Sequence, residues 1–481
     1  MKYIPELPGS FLNRMKRQLG AEFQAFKDSY GQPPTISVRL NPLKRVTSFD
    51  GFAPVPWNQY GRYLTERPDF VFDPLIHAGA YYVQEASSML FAKAIDFSKD
   101  LMILDLCASP GGKSTLMLSE MTENSLLFSN EIVRKRSGVL YENIVKWGYP
   151  NVVVTSNSPE EYKTFTAAFD VVVVDAPCSG EGMFRKEPET IREWRENKPF
   201  QCSVTQKDIL DQAIGLVRDN GLLVYMTCTF SLEENEQVVS WFLKKYKDRA
   251  QLQSIDFEKA WGVTEVKTEN GSVYRCYPHK LKGEGMFIAV FSIRNANKPF
   301  FSKKNQESLK KINQDENKLL QDFVKLKGNL EAFRLEDKIM VFPGRYLSQI
   351  ALAHKHLNVL KSGITAASVP YKKQNLIPTH ELAMSKLHAE NISKMELTQA
   401  QALAYLKKME IKPQNFTELH SQWMLASYQG IALGWLKTFK NNLNNFYPKE
   451  WVIRKNLPEN IYHELKKKSL IKWGFFVLSY F

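Results

Sequence analysis

The chain has 481 residues, 44% of them hydrophobic, and a formal net charge of +13, with a mean hydropathy of −0.33. That length calls for two or three domains of a soluble globular protein. No stretch reaches the roughly 20 apolar residues of a membrane span, and the opening MKYIPELPGSFLNRMKRQ lacks a leader's apolar run. Five cysteines, at 107, 178, 202, 228 and 276, form neither a metal-spaced pair nor a disulfide framework. The expectation is a cytoplasmic protein with reduced thiols, no metal and no membrane attachment. Residues 1–297 carry 35 Lys/Arg against 36 Asp/Glu, whereas residues 298–481 carry 29 against 15. A neutral body joined to a basic C-terminal part points to a polyanionic partner, most simply nucleic acid.

Residues 1–75 read as a small α/β appendage. It has a helical opening from Phe11 to Tyr30 and a strand in which Ile36, Val38 and Leu40 alternate around Arg39. From Asp73 the chain leads into a helix with an apolar face through Met89, Leu90, Ala94 and Ile95. Leu101 to Leu106 is an apolar strand broken only by Asp105, followed by a tight Pro110-Gly111-Gly112 turn and a helix from Ser114. Such a strand-to-helix turn aims backbone N–H groups at an anionic or carboxylate ligand. It is not a phosphate loop, because the position five before Gly112 is Cys107, and GxGxxG is absent.

LLFSNE gives a second strand ending at Glu131, an acid placed to hydrogen-bond ribose hydroxyls. A helix runs from Arg134 to Trp147, and Asn151 to Thr155 is a third strand ending near Asn157 and Ser158. In FDVVVVDAPCSGEGMF, four valines suit a strand buried on both faces, which ends on Asp175 and passes to Cys178. A helix from Ile209 to Val217, a turn at Gly221 and the strand LLVYMTCTF then deliver Cys228, and Gly285 to Ile293 adds a late antiparallel strand. Alternating strands and helices predict a doubly wound parallel sheet over 76–297, with ligands beyond the strands' carboxyl ends. Residues 298–318 have a Lys-rich linker composition. A mostly β module with one inserted helix, Thr398 to Met409, is expected over 319–455, and 456–481 is a tail.

LDLCASPGGKST, the NE at 130–131, DAPCSGEGMFRK and TCTFSLEENE resemble the motifs of the RNA cytosine-5 methyltransferases, the NOP/Sun group, across residues 1–295. YQGIALGWLK and NNFYPK resemble the PUA-like C-terminal module of the bacterial ribosomal RNA small-subunit methyltransferase F group. The resemblance implies a Rossmann-like S-adenosyl-L-methionine-dependent methyltransferase sheet, an N-terminal α/β appendage and a PUA-like RNA-binding domain. It implies Cys228 as the nucleophile that adds to carbon 6 of cytosine, Cys178 as the group assisting release, and Asp175 on the cytosine edge. Cys107, Ala108, Ser109, Pro110, Gly111, Gly112 and Lys113 would cradle the methionine end of the cofactor. Glu131 would hold the ribose, Asp175 would lie near the amino group, and Asn157 or Ser158 would serve the adenine, where many members carry Asp. Lys113 and Lys186 would face the target nucleotide or its phosphate; Cys107 would contribute backbone, and Cys202 and Cys276 would be structural. The implied substrate is RNA, as 16S ribosomal RNA or a small-subunit particle, met by a monomer. A transfer-RNA cytosine-5 methyltransferase and an RNA-binding protein with an inactive methyltransferase domain stay open as alternatives.

Overall fold

The computed structural model describes residues 6–295, 297–299, 309–370, 375–411, 422–439, 442–462 and 464–465. The N-terminal sheet is antiparallel, in the order β2-β3-β1-β4, from β1 (Ile36–Leu40), β2 (Pro54–Val55), β3 (Asn58–Leu64) and β4 (Tyr81–Val83). The long helix expected from Asp73 is therefore interrupted. Asp73 caps the short helix Pro74–His77 by accepting from Leu75 N at 3.0 Å. Gly79, at φ 66°, then ends it where a Cβ would lie 1.9 Å from the Lys146 carbonyl. The Tyr-Tyr-Val that follows has strand propensity and pairs with β1. Only after it does a 3₁₀ helix, Ser87–Ala94, bury Met89 and Leu90.

The central sheet is built from β5 (Met102–Asp105), β6 (Leu126–Asn130), β7 (Val152–Thr155), β8 (Phe169–Asp175) and β9 (Val217–Thr227). It is completed by β10 (Ala250–Leu252), β11 (Thr264–Thr268), β12 (Gly271–Cys276) and β13 (Met286–Ile293). The order is β11-β12-β13-β9-β8-β5-β6-β7, with β5 to β9 parallel and β13 antiparallel to β9. The four valines behave as their pattern predicts. Val172 and Val174 enter the core on one face, and Val171 and Val173 the core on the other. Between β5 and β8 the strand order reverses, which opens the crevice where ligands bind. The expected turn at Gly221 falls inside β9, where the register against β8 shifts and Asn220 adopts a positive φ. Val217 pairs with Phe169 and Leu222 with Val171, and a Cβ at Gly221 would sit 2.8 Å from the Asp170 carbonyl.

Two elements of the N-terminal part reach the central unit. Helices Gly9–Leu19 and Phe23–Ser29 put Phe11 against Phe184 (5.2 Å between centroids) and Phe26 against Phe230 (5.3 Å). Arg39, fully buried on β1, donates to Gln84 Oε1 (2.7 Å) and to Thr115 Oγ1 (2.6 Å), and stacks on Trp147 at 4.5 Å.

The C-terminal part holds two sheets. One, in the order β14-β15-β16-β18-β19, contains β14 (Lys310–Lys311), β15 (Leu330–Leu335), β16 (Lys338–Pro343), β18 (Ile364–Ser368) and β19 (Ile377–Pro378). Between β16 and β18 the chain detours, and β17 (Val359–Ser362) pairs with β7 as the last strand of the central sheet. The other sheet, β20-β21-β22-β23, is formed by Lys394–Glu396, Trp423–Tyr428, Ile431–Phe439 and Asn442–Asn445. The inserted helix is present as Gln399–Leu406, capped by Thr398. It is joined by helices Gln314–Gln321, Leu347–His356 and His380–Met384, so the module is less purely β than its aromatic strands suggest. Part of the Lys-rich stretch is folded: Asn313 and Glu316 form a reciprocal cap for Gln314–Gln321, which buries Leu320. The tail beyond residue 465 lies outside the described residues, and among those described no helix is long and apolar enough to cross a membrane.

Arg39→Ala leaves several buried acceptors unpaired and is expected to lower unfolding stability by about 3 kcal/mol. Arg39→Lys should recover little of it, because an ammonium cannot reproduce the fork or the stacking. Chemical denaturation of the three proteins measures both effects.

Candidate active site

The rim formed by the carboxyl ends of β5, β6, β8 and β9 gathers most of the residues singled out from sequence. Val173 and Asp105 pair across β8 and β5, so the strand ending at Asp175 lies next to the one leading into Cys107. Pro177 offers no N–H to continue a ladder, and the chain turns away carrying Cys178. Gly111, at φ 108°, starts the helix Gly112–Glu120, and its N–H closes the turn on the Ala108 carbonyl at 2.8 Å. The turn is fixed from outside as well. Arg136 Nη2 donates to the Ser109 carbonyl (2.8 Å), Ser109 Oγ donates to the Arg136 carbonyl (2.9 Å), and Asn143 Nδ2 donates to the Pro110 carbonyl (2.8 Å).

Lys113 does not stand free to meet a phosphate: its Nζ is 2.7 Å from Asp175 Oδ2. Burial alone would lower the ammonium's pKa, but Asp175 and its neighbours raise it, so Lys113 stays charged. Asp105, fully buried, accepts from Ser114 Oγ at 2.6 Å, and burial pushes its carboxyl up to about 7. Burial, with Asp105 and Asp175 nearby, raises the Cys107 thiol well above the usual range, so Cys107 is a poor nucleophile. Glu131 is 3% exposed; its Oε1 accepts from Val133 N (2.9 Å) and its Oε2 faces Arg136 Nη1 at 3.5 Å. Asn157 has its amide committed inward, donating to Glu161 Oε1 at 2.9 Å and accepting from Asn358 N at 3.0 Å. Ser158 caps the 3₁₀ turn Pro159–Phe165.

The other half of the rim is a thiol pair. Cys178 Sγ and Cys228 Sγ are 3.2 Å apart, close enough to hydrogen-bond and well short of a covalent link. The Cys178 pKa is raised, first by its hydrogen bond to Cys228 and then by burial. Cys202, on helix Lys198–Leu216, is pushed up to about 11 by burial, and Cys276 is raised by complete burial in β12. Lys186 is half-buried in the turn beyond Cys178. Among the described residues no group of His, Cys, Asp and Glu could hold a metal.

The two thiol-bearing turns are fastened together by residues that the motif reading did not single out. Gly182 N donates to the Cys228 carbonyl (2.9 Å), at a site where a Cβ would lie 2.9 Å from that oxygen. Ser179 Oγ meets Thr229 Oγ1 at 2.8 Å, and Ser179 N and Oγ both reach Glu234, at 2.8 and 2.5 Å. Gln206 Nε2 donates to Glu234 Oε1 (3.1 Å) and to the Pro177 carbonyl (3.0 Å). Asn235 Nδ2 donates to the Thr229 carbonyl at 3.0 Å. The signal was in the string TCTFSLEENE: an acid-rich stretch directly after a thiol-bearing turn has to be solvated or buried against donors. Here Glu234 and Asn235 are fully buried.

Glu234 is pushed up to about 7, chiefly by burial, with the Ser179 hydrogen bonds pulling the other way. A carboxyl whose folded pKa exceeds its unfolded one binds more protons when folded. Its stabilising share is thus complete below about 4.5 and lost as pH rises through about 7. Asp105 is shifted in the same direction. Glu234→Gln is expected to remove one share, on the order of 3 kcal/mol, of the stability fall between pH 4.5 and 7. Urea midpoints at pH 5 and pH 8 for wild type and variant check this.

Three family descriptions match successive parts of the chain: "N-terminal domain of 16S rRNA methyltransferase RsmF" over residues 7–86, "16S rRNA methyltransferase RsmB/F" over 92–292, and "Methyltransferase RsmF PUA domain" over 392–453. The ribosomal RNA small subunit methyltransferase F of Escherichia coli O157:H7 is 29% identical over 479 residues, covering 92% of this chain and 96% of its own. That of Erwinia tasmaniensis is 28% identical over 474 residues, with the same coverage. Among solved structures, PH0851 aligns with a TM-score of 0.55 at 23% identity, over 60% of this chain and 70% of its own. NSun6 from Pyrococcus horikoshii with SFG aligns with a TM-score of 0.51 at 19% identity, over 61% of this chain and 100% of its own. These two likenesses speak for the fold. Taken in order along the chain, residues 7–86, 92–292 and 392–453 are thus similar to the RsmF N-terminal domain, the 16S rRNA methyltransferase RsmB/F family and the RsmF PUA domain.

Proposed function

We propose that the protein methylates carbon 5 of cytosine in 16S ribosomal RNA, free or in a small-subunit particle, acting as a cytoplasmic monomer through a covalent Cys–cytosine intermediate. The observation that carries this reading is the Cys178–Cys228 pair, 3.2 Å apart on the rim that also bears Asp175 and the 107–113 turn. The turn fits S-adenosyl-L-methionine. Asp105 Oδ1 is a buried acceptor without a partner at its foot, and Gly111 and Gly112 leave space where a Cβ would press on Leu140 and Tyr82. Cys107 to Lys113 would hold the methionine end, Glu131 the ribose, Asp175 the amino group, and Ser158 the adenine end, since the Asn157 side-chain amide is committed to Glu161 and Asn358. The cofactor supplies an electrophilic methyl group, and the chain's task is to make carbon 5 nucleophilic.

Cys228 Sγ adds to carbon 6, which turns the ring into an enamine-like nucleophile. Asp175 hydrogen-bonds the cytosine edge. The Lys113 ammonium, 2.7 Å from it, offsets negative charge developing at ring nitrogen 3. The first cause of the raised Cys178 pKa is its hydrogen bond to Cys228. That cause disappears once Cys228 Sγ is bonded to carbon. Cys178 then gives its own proton to water, and the resulting thiolate takes the carbon 5 proton, directly or through that water. The sulfur–carbon bond breaks, and Cys228 leaves as a thiolate. The basic C-terminal part supports RNA as the substrate through its excess of Lys and Arg.

Gel electrophoresis in denaturant, with substrate RNA and labelled cofactor, separates the two cysteines. Cys228→Ala should form no adduct and no product. Cys178→Ala should stall as a protein–RNA adduct carrying the methyl group. An adduct with Cys228→Ala and none with Cys178→Ala would sink the assignment.

A thiol that approaches above the ring plane needs an extruded base, so the target cytosine should be methylated far faster in an open loop than in a fully paired duplex of the same sequence. Equal initial rates on the two RNAs would count against this geometry, and bisulfite mapping of ribosomal RNA from cells with and without the protein locates the cytosine.

A further inference from the structure

The end of β7 is held by chain from the far side of the molecule. β17 pairs antiparallel with β7, matching Val359 with Thr155 and Ser362 with Val153. One residue before it, Asn358 makes two backbone bonds to the tip of β7. Its carbonyl accepts from Ser156 N at 3.0 Å, and its N–H donates to Asn157 Oδ1 at 3.0 Å, across 201 residues of sequence. Asn157 in turn exchanges two bonds with Asn130: its N–H donates to Asn130 Oδ1 (3.0 Å) and its carbonyl accepts from Asn130 Nδ2 (3.0 Å). Asn130 Nδ2 also donates to the Leu106 carbonyl (3.1 Å), and the Asn130 carbonyl accepts from Ala108 N (2.8 Å). An unbroken run of hydrogen bonds thus joins the 107–113 turn to the C-terminal part.

The inner part of the run is shielded from water, since Asn130 and Asn157 are 1% and 3% exposed, while Asn358 itself is exposed. Water cannot replace a bond lost there. The same junction is packed from behind: Val153, Tyr162 and Phe165 share one apolar core with Ile350, Ala353 and Leu357.

We propose that the C-terminal part completes the cofactor site, with Asn358 as a positioning residue. Its backbone N–H fixes the Asn157 side chain, and Asn157 in turn fixes Asn130 and the turn beside it. The part of the chain that carries the excess positive charge therefore also sets how tightly S-adenosyl-L-methionine is held. This rests on the cofactor site proposed above.

Calorimetric titration of S-adenosylhomocysteine into full-length variants tests it. Leu357 is extended (φ −120°, ψ 156°) and accepts a following proline, so Asn358→Pro removes the N–H donor and puts a ring carbon against the Asn157 acceptor in its place. Its Kd should rise about tenfold, with kcat at saturating cofactor preserved. Asn358→Ala keeps the donor and should return the Kd to within about twofold of wild type. Asn157→Leu removes the acceptor instead and should weaken binding as the proline does, which keeps the test decisive if the proline variant is unstable. Unchanged affinity in Asn157→Leu or in a folded Asn358→Pro overturns the proposal. Glu131→Ala separates the two levels. Weakened binding there with none at 157 or 358 removes the C-terminal contribution and leaves the site. Unchanged binding in Glu131→Ala removes the site itself.

Discussion

Two sulfur atoms from turns 50 residues apart are held 3.2 Å from each other, and that closeness constrains the whole rim. A thiol on a surface turn would wander by more than this separation. Here the two turns are cross-tied through Gly182, Ser179, Thr229 and Glu234, and both are braced from below. Phe184 and Phe230, which follow the two cysteines, pack against Phe11 and Phe26 of the N-terminal helices. Arg14 pairs with the buried Glu181 at 2.6 Å, and Arg185 with Glu284 at 2.9 Å. Part of the N-terminal region therefore serves as the floor on which the chemistry is positioned.

Charge on the rim is arranged around Lys113. Asp105, Glu131 and Asp175 line the crevice, and Lys113 is the ammonium among them, paired with Asp175. Buried carboxyls without such compensation drift towards the neutral form, as Asp105 and Glu234 do. The result is one ion pair at the reacting face and two easily protonated acids behind it. This suits a reaction in which charge passes from a sulfur to a ring and back.

What could be read from the sequence followed from local chemistry. Four valines need a sheet covered on both faces, Pro-Gly-Gly after an apolar strand needs a tight turn, and two cysteines after buried strands reach the same rim. What could not be read depended on partners remote in sequence. Tyr81–Val83 is a strand because Leu40 and its neighbours lie alongside it, and helical spacing around it concealed this. Lys113 was expected to face the target nucleotide or its phosphate, and nothing local showed that Asp175 would hold it. Asn157 stood out as the replacement for an acid at the adenine end. Nothing local indicated that its amide would be claimed by Asn358, and β17 carries no motif at all.

β17 also bears on how the protein comes into being. Chains fold from the N-terminus as they are made, and every strand from β5 to β13 leaves the ribosome before Val359 does. Until Ser362 has emerged, β7 is an uncovered edge in which Val152, Val153 and Val154 are consecutive. Such an edge is a template for pairing with any other extended segment. The nascent chain thus carries a nearly finished sheet with one adhesive side through the synthesis of about seventy further residues, and it is sealed by a strand that belongs, in sequence, to a different module.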